Sequence, residues 1–160
     1  MPETAAGGRA APAWAYIAPL ATYASCLSGF LVWLLRSGRA IPQPGARDVV
    51  MIGLATHKAS RLLTKEKVTR PLREPFADVK GEGELPRELS QEPQGTGLRR
   101  VIGELLICPY CLAQWVGTAF FAGLAVAPRL TRFMAALLSA VAIADFLQPA
   151  YRAAERRGAG

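Results

Sequence analysis

The 160-residue chain is 51% hydrophobic and 19% charged, with three Cys, one His, a formal net charge of +7 and a mean hydropathy of +0.20. This length suits a single domain. The composition excludes a fully disordered chain and a disulfide-dense secreted scaffold, and it leaves few ligands for a self-contained structural zinc site, which takes four.

Residues 1–10 are small and polar and predict a flexible N-terminus. Residues 11–36 predict an N-terminal transmembrane anchor, because the run WAYIAPLATYASCLSGFLVWLL carries no charge and about 20 apolar residues suffice to cross a hydrocarbon core. Trp14, Tyr16 and Trp33 stand near its ends, where aromatic rings favour the headgroup level, and Pro19 predicts a kink. Arg36 and Arg39 follow where a signal peptide would present small residues for cleavage, so the run reads as an uncleaved anchor.

Two prolines and a glycine then punctuate the chain. Residues 47–63 predict a second helix, with Asp48 as its N-cap, apolar in its first half and bearing His57, Lys58 and Arg61 in its second. It would enter the membrane with its cationic end snorkelling outward, or lie in the interface. Residues 64–97, rich in Pro, Gly and charge, predict a largely irregular polar loop, basic at Lys65, Lys67, Arg70 and Arg73 and mostly acidic thereafter.

Residues 98–149 predict a short helix, a Cys-x-x-Cys turn and a helical hairpin. Cys108 and Pro109 fit the N-cap and first position of one apolar helix. Pro128 and Arg129 end that helix, Thr131 and Arg132 connect it to the next, and Pro149 closes the last apolar stretch before a basic tail at residues 150–160. The fold class expected is all-α, a small polytopic membrane helical bundle with three or four transmembrane helices and a polar central loop.

Small residues spaced by four, at Ala21, Ser25 and Gly29, at Ala119, Gly123 and Ala127, and at Ala136, Ala140 and Ala144, would let helices approach closely in lipid. Asp145 is costly inside an apolar helix unless it finds a partner, for which His57, Lys58 and Arg61 are candidates. Cytoplasmic segments carry the excess of Lys and Arg. With four crossings, the side holding both termini and the central loop has twelve such residues and the other side five. This places both termini and the loop in the cytoplasm of a multi-pass protein of the bacterial inner membrane.

The tetrapeptide Cys108-Pro109-Tyr110-Cys111 matches a glutaredoxin active site, but the strands and helices of that fold are missing around it. Three readings of the pair stay open: small packing residues at a helix start, a membrane thiol-exchange site, or half of a zinc site that His57 or a second subunit would complete. No nucleophile triad, phosphate-binding glycine loop or HExxH pattern occurs, so turnover is unsupported.

The blocks ATHKASRLLTKEKVTRPLREPF and GTGLRRVIGELLICPYCLAQW resemble domain of unknown function family 1360, small bacterial integral membrane proteins that include a sporulation-associated member. The resemblance covers roughly residues 47–149 and makes the first helix look like an addition to a shorter core. It implies a membrane protein featuring Arg61, the Arg73-Glu74-Pro75-Phe76 run, the Gly95 to Arg99 turn and the Gly103-Glu104 to Cys111 segment, and it implies no reaction. The function expected is a structural or interaction role at the inner membrane, with Arg61, Arg73, Arg99 and Glu104 clustered as ion pairs beside Lys58 and Asp145. Thiol redox or metal chemistry at Cys108 and Cys111 is the alternative. No cofactor is expected beyond zinc at that pair. The partners expected are the bilayer and a membrane protein or second copy, with no nucleic acid, because the cations flank apolar helices rather than gather on a soluble face.

Overall fold

The computed structural model describes residues 11–85 and 87–158. The N-terminal residues 1–10 and the last two residues of the basic tail lie outside them. The chain is mostly helical. In order it forms α1 (Ala13–Arg36), α2 (Ala46–Thr64), a 3₁₀ turn (Lys67–Thr69), α3 (Arg70–Arg73), β1 (Ala77–Glu82), β2 (Leu89–Pro93), α4 (Gly97–Ile107), α5 (Pro109–Val126) and α6 (Pro128–Gly158). Three of these helices, α1, α5 and α6, are long and apolar enough to cross a membrane.

α2 packs on both α5 and α6. It runs parallel to α6: Asp48 pairs with Arg132, Ser139 donates to the Met51 carbonyl, and Lys58 pairs with Asp145. It runs antiparallel to α5, with Ile52 packed near Leu124 and Thr56 near Gly117. Ile52, Ala55, Leu124 and Ala135 form the core between these three helices; the small side chains of Ala55 and Ala135 permit that close approach. α1 lies alongside α4 and α5, held by a small contact of Ala11 and Ala15 with Val101 and by an edge-on ring contact of Tyr23 with Trp115. The directions alternate, so α1 and α5 start, and α2 and α6 finish, at the same end of the bundle as the polar segment. Trp14, Ile17, Leu20 and Leu35 of α1 and Phe133, Phe146 and Leu147 of α6 remain exposed, an apolar belt of the kind that marks a membrane or partner surface.

Four local expectations change. The polar segment is not largely irregular: β1 and β2 pair antiparallel from Ala77 with Pro93 to Glu82 with Leu89, with a bulge between Val79 and Gly81. The sequences ADVKGE and LSQEP lack the alternating pattern of a half-buried strand. They are ordered by backbone pairing and by α4 lying on β2. Gly103 makes that seat possible: a Cβ there would run into the Phe76 carbonyl oxygen and the Pro93 ring. Second, Pro149 does not end α6, which continues to Gly158. An interior proline forfeits one helical hydrogen bond, and the following YRAAERR run consists largely of helix formers that propagate the helix beyond it. Third, Gly45 rather than Asp48 caps α2, leaving Asp48 in the first turn. Fourth, Thr131 and Arg132 lie within α6, since only Ala127 separates it from α5.

Candidate functional site

The end of the bundle that carries the polar segment holds a connected set of charges. Lys58 of α2 is buried, and its ammonium donates to Glu66 and stands 3.1 Å from Asp145 of α6. Arg87, in the turn between the strands, donates two bonds of 2.8 Å to the two Asp145 oxygens and lies 3.5 Å from Glu66. This is the planar fork that a guanidinium offers a carboxylate. The Asp145 carboxylate holds Arg87 above its ordinary pKa. One turn along α2 from Lys58, Arg61 grips the buried Glu88 through both carboxylate oxygens, at 2.7 and 2.9 Å. Three cations therefore meet three carboxylates.

The backbone explains how these groups converge. Glu66 and Glu88 face each other in a single antiparallel bridge. Lys67 donates its N–H to the Arg87 carbonyl, and Leu89 donates to the Lys65 carbonyl. The chain leaving α2 thus joins the edge of the hairpin, which sets Arg87 and Glu88 over the ends of α2 and α6.

Arg73 is fully buried and donates to no carboxylate among the described residues. Its guanidinium donates to Gln91 Oε1 at 2.6 Å, to the Leu63 carbonyl at 2.7 Å, to the Glu66 carbonyl at 2.9 Å and to the Thr69 hydroxyl. Leu63 lies in the last turn of α2, whose final carbonyls lack helical donors and carry the negative end of the helix dipole. Arg73 supplies the missing donor and ties α2 to β2. Burial pushes its pKa below the ordinary arginine value.

Arg99 and Glu104 stand apart from this network. Arg99 donates to the Pro75 carbonyl at 2.7 Å and to Gln94. Glu104 accepts from Tyr16 of α1 at 2.7 Å and from Arg100 at 3.1 Å, joining α1 to α4. Arg61, Arg73, Arg99 and Glu104 therefore do not form the single ion-pair cluster expected from the sequence. Each fastens a different pair of elements, because the hairpin and α4 lie between them.

Of the three partners weighed for Asp145, Lys58 meets it. Arg61 turns to Glu88, and His57 stacks on Phe146 of α6, with ring centroids 5.6 Å apart and planes inclined by 22°. Cys108 caps α5, its sulfur accepting from the Cys111 N–H at 3.2 Å, and both are free thiols. Among the described residues no three His, Cys, Asp or Glu gather as a metal site. Glu66, Arg87 and Glu88 were not singled out from the sequence. Within a polar, proline-punctuated stretch they carry no periodicity, and only the strand pairing brings them to the helix ends.

One curated relative, the sporulation protein YjcA of Bacillus subtilis (strain 168), is 29% identical over 102 residues, which span 62% of this chain and 86% of that protein. No solved structure matches the chain. The model of the family described as protein of unknown function (DUF1360) matches residues 51–151, which takes in most of α2, the hairpin and its charged network, α4, α5 and most of α6 but leaves α1 outside. The chain belongs to the DUF1360 family.

Proposed function

We propose that this is a multi-pass protein of the bacterial inner membrane in which α1, α2, α5 and α6 cross the bilayer. The termini and the charged hairpin cap face the cytoplasm, and the protein acts through protein and lipid contacts rather than turnover. The observation that carries the reading is the shared end of the bundle. The start of α1, the end of α6 and the hairpin gather there, and the sequence carries twelve Lys and Arg in its terminal and polar segments against five in the connections at the other end, which is the asymmetry that orients membrane proteins. The exposed apolar belt on α1 and α6 supports the same reading. α2 is too polar to cross alone, and its Lys58 and Arg61 are neutralised by Asp145, Glu66 and Glu88 from neighbouring elements. A contact role is supported by the use of the network's side chains, which join α2, α6 and the hairpin to one another.

Reporter fusions test the topology. A fluorescent protein fused at the C-terminus should fold and shine, whereas alkaline phosphatase inserted in the 37–45 connection should be active outside the cytoplasm. The reverse pattern, or release of the protein by alkaline carbonate, would overturn the proposal.

A further inference from the structure

Beside the charged network, where α6 outlasts its apolar part, lies a cleft of about 470 Å³ walled by Arg87, Asp145, Gln148, Pro149, Arg152 and Arg156. Arg87 and Asp145 are already paired across its floor. Arg152 and Arg156, one helical turn apart on α6, both face the cleft and make no ion pair with a described residue. Sharing Gln148 and Arg152 with it is a second cavity of about 420 Å³, lined also by Ala144, Leu147 and Tyr151. Leu147 and Tyr151 are largely exposed. The cationic cleft thus opens onto an apolar strip that runs down the outside of α6.

We propose that this site seats an anionic glycerophospholipid. Arg152 and Arg156 hold its phosphate diester, and an acyl chain lies along Ala144, Leu147 and Tyr151. Two guanidinium forks can bind phosphate oxygens bidentately, and the apolar strip suits a chain that a free anion lacks. The continuation of α6 past Pro149 is what sets Arg152 beside the end of the strip and Arg156 one turn beyond it. The inference rests on the membrane reading above, which puts this end of α6 at the headgroup level.

The test uses the full chain, purified in detergent and returned to bilayers, with phosphatidylglycerol, phosphatidylcholine and inorganic phosphate as separate probes. The wild type should retain phosphatidylglycerol in preference to phosphatidylcholine. Each surface cation adds roughly fivefold in affinity for anionic lipid, so the R152Q/R156Q variant should bind phosphatidylglycerol on the order of 20-fold more weakly. R156Q alone should lose roughly fivefold. The R129Q/R157Q variant, with the same net charge as the first double variant but an intact cleft, should lose at most about fivefold, the general attraction of Arg157 for the same surface. Equal binding by R152Q/R156Q, an equal loss in R129Q/R157Q, or binding of inorganic phosphate as tight as that of phosphatidylglycerol would each overturn the lipid site. Release of the wild type from the bilayer by alkaline carbonate would overturn the membrane reading and the site with it. Retention in the bilayer without preference between the lipids would overturn the site alone.

Discussion

Replacing Asp145 with Leu removes the α6 carboxylate that serves both α2 and the hairpin. Two Arg87 bonds of 2.8 Å and the Lys58 contact at 3.1 Å disappear, and two cations are left to share Glu66. Breaking a buried ion pair from one side costs about 3–5 kcal/mol. Arg87 is 38% exposed and can be rehydrated, and Lys58 keeps Glu66, which reduces the expected loss to about 2–3 kcal/mol. For a chain of this size that corresponds to a fall in melting temperature of roughly 4–12 °C, measurable by thermal unfolding in detergent. Lys58→Met, which leaves the acids in excess, should cost a similar amount. The double variant K58M/D145L leaves Arg87 facing Glu66 with charge balanced, and its loss should fall short of the sum of the single losses by about 1 kcal/mol or more. Losses that add to within about 0.5 kcal/mol would refute the idea that these groups act as one network.

Arg73→Lys should destabilise the protein nearly as much as Arg73→Met, by about 3 kcal/mol, because a single ammonium cannot reach the Leu63 and Glu66 carbonyls and Gln91 together; a lysine variant that melts like the wild type would contradict the forked cap. Gly103→Ala should lower stability by about 1–3 kcal/mol through collision with the hairpin backbone, and proteolysis between β2 and α4 should accelerate. Tyr16→Phe removes the hydroxyl that donates to Glu104 and should weaken the protection of α1 in hydrogen exchange; unchanged protection would show that this bond does not hold α1 to α4.

The helices were legible because they are long. α1, α5 and α6 appear in the sequence as apolar runs between arginines and prolines, and the Cys108-Pro109 step announces the start of α5. Asp145 was also legible as a charge in need of a partner. What stayed hidden is non-local. Arg87 lies 58 positions from Asp145, and nothing in a stretch of alternating acids and bases distinguishes it from a solvated cation. The role of Gly103 stays hidden until Phe76 and Pro93 are placed against it. Pro149 reads as a stop, because sequence punctuation weighs the lost hydrogen bond and not the helix-forming tail that follows.

The pairing of α2 with α6 also bears on the order of synthesis. Met51 and Ser139, which meet along this seam, are 88 positions apart. A lysine or aspartate at the centre of a lone transmembrane helix costs roughly 2.5–3.5 kcal/mol to insert, and α2 carries Lys58 and Arg61 before any of α6 exists. α2 is not among the helices apolar enough to cross by themselves, and of the carboxylates that meet its cations Glu66 and Glu88 are made soon after it while Asp145 comes only with the last helix, so the network closes at the end of synthesis.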